Sequence, residues 1–373
     1  MPEALPWWLL PLLSGMLGAC VGSFLNVVIY RVPLDIPVND PPRSFCPECE
    51  KPIPWYLNIP VLSWALLRGK SACCGTPINF RYCLVETLTA LIFAVMAWKY
   101  ADASLAAALL LCVWSALAIA IIFIDAEHLI VFRSQALLAA AAGTAACCAY
   151  PFLLPGSDVL TWKDALQNSL LGGATGYAVI RLVIELGKWL FGSWRQSFDT
   201  PAAWSLKEPE TDREELKLII DGTEHDWSML FHRATDKAVI SGGSITIDGK
   251  KLTPGSVTLH PDRIELDNGD SYPLEDVESV HGTLTGIHAK REAMGAGDAW
   301  ILMMIGCVSG WQGTIFCLCL GSVLGIVQAL VSRLGFGRNM PFGPALLTAA
   351  LVWLMGGDQW WLAYVRFLSG EQA

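Results

Sequence analysis

Long apolar runs recur along this chain at a spacing that predicts a bundle of membrane-crossing helices. A bilayer core about 30 Å thick takes roughly 20 apolar residues per helix. About eight runs approach that length, at residues 7–30, 83–100, 105–124, 134–154, 169–191, 299–310, 314–331 and 342–362. The first is too long for the core of a signal peptide. No basic residue precedes it and Arg31 follows it at once, the pattern of a retained span that enters from outside. An even number of spans puts both termini on one side. Between the fifth and sixth runs the period changes. Ser244-Ile-Thr-Ile-Asp and Ser256-Val-Thr-Leu-His alternate as strands do, and Asp248-Gly, Pro254-Gly and Asn268-Gly punctuate them as turns. The fold class expected is therefore an all-α polytopic membrane protein with a small β-rich domain inserted at 192–293.

Composition strengthens this reading. Of 373 residues, 54% are hydrophobic and 16% charged, and the mean hydropathy is +0.46, well beyond a soluble domain. The net charge of -9 comes from acids crowded between Leu206 and Glu292, among them Glu208, Glu210, Asp212, Glu214 and Glu215. That distribution argues against nucleic acid as a ligand. Basic residues of short loops stay on the cytoplasmic face. Arg43, Lys51, Arg68, Lys70 and Arg81 fall in the first loop, 31–82, and Arg333 and Arg338 in the last loop of the same sidedness. The expected topology has both termini outside, with loop 31–82, loop 125–133 and the β-rich segment in the cytoplasm. Cys20, Cys112, Cys147, Cys148, Cys307, Cys317 and Cys319 lie within apolar runs and read as small hydrophobes rather than disulfide partners.

Two aspartates share a position relative to the expected membrane. Asp125 ends the run Ile121-Ile-Phe-Ile, and Asp298 closes Gly295-Ala-Gly-Asp before the sixth run. An acid beside a span is most often a solvated helix end or an N-cap. A pair at one depth offers more: two carboxylates in a partly dry site cannot both ionise cheaply, so one holds a proton while the other takes one from water. Gly295 and Gly297 let the backbone approach a substrate strand closely. A second group of side chains lies in the first loop. Cys46 and Cys49 form a CxxC knuckle, and Cys73 with Cys74 completes either a four-sulfur zinc site or a set of free or partly ligating thiols. A reducing cytoplasm favours metal over disulfide.

In order along the chain stand Gly22-Ser-Phe-Leu-Asn-Val-Val-Ile-Tyr-Arg-Val-Pro, Cys46-Pro-Glu-Cys, Trp55-Tyr-Leu-Asn-Ile-Pro-Val-Leu-Ser-Trp, Leu67-Arg-Gly-Lys, Arg81-Tyr-Cys-Leu-Val-Glu, Ile124-Asp-Ala-Glu-His, Met294-Gly-Ala-Gly-Asp and Pro341-Phe-Gly-Pro. This series resembles the type IV prepilin peptidase family, GxGD-type intramembrane aspartic peptidases, over all but the inserted segment. The resemblance implies a bifunctional inner-membrane enzyme. It would cut a short basic leader from prepilins or type II secretion pseudopilins, then methylate the new N-terminus with S-adenosylmethionine. It makes Asp125 and Asp298 the catalytic pair, with Gly295, Gly297, Glu127 and His128 in support. Residues 1–100 then carry the methyltransferase-associated cysteine loop, 101–191 the first aspartate and 294–373 the second. Glu86, inside a family motif, stands open between packing, cofactor contact and chemistry. No glycine-rich nucleotide fingerprint is visible, so methyl transfer and its cofactor rest on the resemblance alone.

Two departures from the family pattern stand out. Ser71 occupies the place of an expected cysteine, leaving Cys73 adjacent to Cys74, and Val131-Phe132-Arg133 replaces the usual Ile-Pro-Asp. They keep open a rival reading, an inactive membrane scaffold that docks pilus or secretion assembly proteins through the β-rich domain. A proton-coupled transporter fits less well, because its paired acids belong mid-bilayer. Arg181 and Glu185, four apart in the fifth run, suit an internal ion pair.

Overall fold

A computed structural model describes residues 6–40, 46, 48–49, 51–155, 161–191, 194–207, 216–231, 236–290, 295–331 and 341–369. Arg43, Arg333, Arg338, Glu292, Met294 and the acids Glu208, Glu210, Asp212, Glu214 and Glu215 lie outside the described residues. In chain order the helices are α1 (Leu9–Arg31), α2 (Leu62–Leu66), α3 (Phe80–Tyr100), α4 (Leu105–His128), α5 (Arg133–Ala149), α6 (Trp162–Phe191), α7 (Trp227–Leu230), α8 (Ala296–Val331), α9 (Gly343–Val352) and α10 (Asp358–Ser369). The chain divides into two compact units, Met1–Ile180 with Ala296–Ala373, and Arg181–Gly295.

Among the described residues, five segments are long and apolar enough to cross a membrane: Leu9–Leu34, Phe80–Tyr100, Leu105–His128, Trp162–Gly187 and Ala296–Val331. The other expected runs take different forms. Helix α5 has 17 residues, about 26 Å at 1.5 Å per residue. Helix α8 takes in both the sixth and the seventh run, and Gly310 interrupts it between them at φ 67°, ψ -178°. The last run starts as α9, passes through a wide turn at Trp353–Gly357 where Gly356 has φ 143°, and resumes as α10. That break frees the Leu354 carbonyl, which accepts from Lys99 Nζ at 3.0 Å and from the Tyr100 hydroxyl at 2.7 Å, while Lys99 also pairs with Asp358 at 3.3 Å. Hydrocarbon offers a freed carbonyl no partner, so the chain supplies its own.

Within the first unit α1 and α3 pack antiparallel, because Gly18 meets Thr89 and Phe93, Gly22 meets Glu86, and Asn26 meets Tyr82. A Cβ on Gly18 would lie 2.7 Å from the Thr89 carbonyl oxygen and 2.8 Å from Phe93 Cβ. Lipid tails give no hydrophobic drive between helices, so close backbone approach through small residues supplies the dispersion that holds them. The buried residues of α4 are mostly apolar, Leu111, Trp114, Ile119, Ile121 and Ile124 among them, with Ser115 buried in their midst. Its first turn is capped by Ser104, whose hydroxyl accepts from the Ala107 amide at 3.2 Å.

The second unit carries a ten-stranded sheet in the order β3-β2-β1-β10-β4-β7-β8-β9, with the β5-β6 hairpin joined to β10. The strands are β1 (Trp194–Lys207), β2 (Lys217–Ile220), β3 (Thr223–Asp226), β4 (Lys237–Ser241), β5 (Ile245–Ile247), β6 (Lys250–Leu252), β7 (Ser256–Leu259), β8 (Arg263–Leu266), β9 (Ser271–Pro273) and β10 (Val280–Lys290). All the pairings are antiparallel. The alternation read in the sequence buries Ile245 and Ile247 from β5, and Val257 and Leu259 from β7, in a core around Trp204, Ile240 and Ile287. Asp248-Gly249 turns β5 into β6 with both residues at positive φ, as a two-residue hairpin of this twist requires. The expected internal ion pair is corrected here: Arg181 and Glu185 approach to 3.7 Å, but their side chains are 45% and 56% exposed.

The packing of α1 on α3 predicts that Gly18→Val lowers the thermal midpoint in detergent, at a cost of about 1–3 kcal/mol. Gly15→Ala should cost less, since a Cβ there lies 3.3 Å from its nearest neighbour, the Ala90 carbonyl oxygen, which has to give by only a few tenths of an ångström. Equal midpoints for Gly18→Val and the unmodified protein would contradict this packing.

Candidate active site and cysteine cluster

Asp125 does not open a loop. Helix α4 continues three residues past it to His128 and stops at Leu129, whose left-handed backbone (φ 55°) returns its N–H to the Asp125 carbonyl at 3.0 Å. The carboxylate therefore sits in the last helical turn, 5% exposed. Glu127 and His128 follow on the more open side of the same turn. Asp298 lies in the first turn of α8 and is half-buried, at the helix end where the backbone dipole favours an acid. Gly295 immediately precedes that helix, and Gly297 lies within its first turn.

Three contacts join these helix ends. A Cβ on Gly297 would meet Val131 Cβ and Cγ2 at 3.0 Å, so the segment after Asp125 rests on the backbone beside Asp298. Arg133 stacks its guanidinium over the Trp300 ring, 4.6 Å from the centroid, a contact of about 0.5–1 kcal/mol where exposed. The backbone of Gly343, at the start of α9, lies directly against the Asp125 carboxylate, and a Cβ there would also fall 2.6 Å from Ile301 Cδ1. Ile301 is three residues from Asp298, about one helical turn. Val131 and Arg133, both in the segment that departs from the family pattern, are thus packing partners of the Asp298 segment. Gly343 was visible only as part of a motif; nothing in its neighbours along the chain ties it to Asp125.

Arg81, read in the sequence as a loop charge and as the start of a family motif, forms an ion pair with Glu127. It fixes the start of α3 and the end of α4 at one level. Glu86, one turn and a half further into α3, is 9% exposed and accepts from the Val61 amide at 2.6 Å. Val61 holds φ at 63°, costly for a β-branched residue. The loop carrying α2 is thereby tied to the α1–α3 pair.

The four loop cysteines converge, with all four sulfurs within 4.8 Å of one another. Cys46 and Cys74 are 3.5 Å apart, and Cys49 and Cys73 3.2 Å. Four thiolates at about 2.3 Å from a tetrahedral ion would stand about 3.8 Å apart, so the cluster can hold a metal with small adjustments. The adjacency of Cys73 and Cys74 is no obstacle, because the turn at 71–76, closed by the Ser71 amide on the Thr76 carbonyl at 2.8 Å, points both sulfurs inward. Ser71 stays in the cluster as a hydrogen-bonding group, 2.9 Å from Cys73 Sγ and 3.6 Å from Cys46 Sγ. Amides of Cys49 and Glu48, with the Ser71 hydroxyl, hold the Cys46 thiol down at about 6. Thr76 lowers Cys74 through its hydroxyl and amide. The Lys51 amide pulls Cys49 down, but its hydrogen bond to Cys73 and burial outweigh this and push it up to about 12. Thiolate character thus falls on Cys46 and Cys74, as a cation site needs.

Comparison with known proteins covers both halves of this arrangement. The profile of the Bacterial Peptidase A24 N-terminal domain matches residues 16–100, which hold the cysteine cluster and Glu86. That of the Type IV leader peptidase family matches residues 278–330, which hold Asp298. A prepilin leader peptidase/N-methyltransferase of Myxococcus xanthus is 41% identical over 176 residues, covering 46% of this chain and 47% of that protein. The match thus spans about half the length of that relative. The protein of the same name from Aeromonas hydrophila is 33% identical over 221 residues, covering 50% of this chain and 75% of its own length. That of Stutzerimonas stutzeri is 26% identical over 380 residues, covering 94% of this chain and 92% of the relative. No solved structure matches the chain. With three quarters of the Aeromonas protein covered at that identity, and the two profiles falling on the cysteine loop and on the helix of Asp298, the chain belongs to the type IV leader peptidase family.

Proposed function

We propose that this protein cleaves the leader from type IV prepilins or type II secretion pseudopilins with Asp125 and Asp298, and then N-methylates the exposed N-terminus using S-adenosylmethionine. The observation that carries the reading is the packing of the Asp125 helix end on the Asp298 helix start through Val131, Gly297, Gly343 and Ile301. Relatives named prepilin leader peptidase/N-methyltransferase support both activities.

In the reaction one carboxylate takes a proton from a water lying between the pair. The resulting hydroxide attacks the scissile carbonyl, and the other carboxyl group gives its proton to the carbonyl oxygen. Collapse of the tetrahedral intermediate breaks the C–N bond, and a proton passes from the first carboxyl to the leaving amine. Gly297 and Gly343 let Val131 and the Asp125 carboxylate pack directly against the backbone, which positions the acids. Glu127 acts through its ion pair with Arg81, which holds the end of α4 in place.

The proposed topology has about eight spans: α1, α3, α4, α5, α6, the two parts of α8 on either side of Gly310, and the α9–α10 run. Both termini lie outside, and the aspartates, the cysteine loop and the β-rich unit face the cytoplasm, in line with Arg31, Arg68, Lys70 and Arg81 at that end. The β-rich unit is a docking module for an assembly partner. Zinc is the metal we assign to Cys46, Cys49, Cys73 and Cys74, a structural ion closed by four thiolates.

Purified protein mixed with a prepilin in detergent should release the leader, and Asp125→Ala and Asp298→Ala should each abolish release. Intact precursor with the unmodified protein would refute the peptidase reading. Gly343→Ala should slow cleavage by about 10²-fold or more, since a methyl group there must displace the Asp125 carboxylate. Cleavage at the unmodified rate would show that this contact does not position the acid. Elemental analysis should find about one zinc per chain, lost in a Cys46→Ala/Cys74→Ala variant. Zinc-free protein with all four thiols reduced would exclude the metal.

A further inference from the structure

The loop between α1 and α3 presents an apolar surface where a polar one is expected. Helix α2 packs on the start of α3 through one face. The Trp64 ring meets the Phe80 ring edge to face, with centroids 5.5 Å apart, and its Nε1 donates to the Ile78 carbonyl at 3.3 Å. At Gly69 the chain folds back against that ring, where a Cβ would lie 3.0 Å from it. Leu62 and Leu66 stand two residues to either side of Trp64, so at about 100° per residue they share the opposite face of the helix. They are 59% and 82% exposed, and Ile59, just before the helix, is exposed as well.

The level of α2 along α3 decides what covers these side chains. Phe80–Tyr100 is long and apolar enough to cross a membrane, and Phe80 is its first residue. Glu86 stands further on in that helix, about 9 Å along its axis at 1.5 Å per residue, and its side chain accepts from the Val61 amide at 2.6 Å. Even with the lean of the side chain toward the helix start, α2 begins beside the first two turns of the span, not beyond its end. A face turned away from a span at that level meets lipid rather than water. Arg68 and Lys70 follow, both exposed and neither paired with an acid among the described residues. Basic side chains beside a bilayer reach its phosphates while their stems stay in the apolar layer.

We propose that α2 and the residues leading into it form an interfacial membrane anchor, with Ile59, Leu62 and Leu66 seated among acyl chains and Arg68 and Lys70 on the phosphates above them. The occupant is phospholipid, because the exposed face is apolar, lies level with the span and is followed by unpaired cations. This placement needs α3 to be a span and takes nothing from the peptidase or methyltransferase reading. The cysteine turn at 71–76 follows directly, so the anchor holds the cluster against the membrane surface rather than on a free loop.

The test uses the unmodified full chain in nanodiscs containing a phospholipid with a photoreactive group on its acyl chain, and mass spectrometry after irradiation locates the adducts. Segment 59–66 should carry lipid at a yield comparable to that of α3 around Leu91 and Trp98, both exposed. A Leu62→Glu/Leu66→Glu variant should lose most of the adduct at 59–66, while α3 keeps its own as the control for folding. An unlabelled 59–66 in the unmodified protein overturns the proposal, whether water or a peptide segment covers that face. Labelling that the double variant retains in full, with α3 labelled as before, overturns it too. Prepilin cleavage measured on the same nanodiscs is judged separately: its failure would count against the peptidase reading and leave the adduct map standing.

Discussion

The backbone of Gly343 rests on the carboxylate of Asp125, and no side chain larger than hydrogen fits between them. This close approach depends on three helix ends arriving together. Helix α4 must stop just past Asp125, α8 must begin just before Asp298, and α9 must begin at the Gly343-Pro step. Each stop has a local cause: a left-handed residue at Leu129, an acid at a helix start, a proline in a first turn where its missing N–H goes unnoticed. Ile124, Ile301 and Leu346, one on each of these helices, are all buried.

The same end of the bundle carries the second assembly of polar groups. Arg81 and Glu127 tie α3 to α4, and Glu86 ties the loop bearing α2 to α1 and α3 through the Val61 amide. The cost of holding Val61 at positive φ is about 1–3 kcal/mol. The hydrogen bond from its amide to the buried Glu86 side chain offsets part of that cost, since a hydrogen bond contributes about 0.5–1.5 kcal/mol. The cysteine loop is therefore joined to the membrane helices by a hydrogen bond that only a carboxylate or a like acceptor at position 86 can make.

The second unit obeys a different solvent. Its strands alternate buried and exposed residues with period two, its turns are Asp-Gly and Asn-Gly steps, and its core is a single cluster around Trp204. The helices of the first unit show no such alternation, since lipid and protein interior are equally apolar. Their packing is instead set by glycine and by pairs of polar groups.

The sequence by itself determined the membrane class, the helix and strand segments, the inserted β-rich region and the motifs that mark the family. These follow from hydropathy, period and turn chemistry, which act over neighbouring residues. Asp125, Asp298 and the four cysteines were legible as candidates because acids and thiols are conspicuous in an apolar chain. Tertiary structure alone decided what they touch. Val131 and Arg133 looked like losses from a motif until the fold set them on Gly297 and Trp300. Ser71 looked like a missing ligand until the turn placed its hydroxyl among the sulfurs. Arg181 and Glu185 had the spacing of an internal pair, but spacing fixes only that two residues share a face, not which face is covered. Eight apolar runs likewise gave length without path, and the breaks at Gly310 and Gly356 depend on backbone angles that hydropathy does not encode. Contacts between residues more than a hundred positions apart, such as Gly343 with Asp125, arise only when helices pack, because no local propensity carries information across that distance.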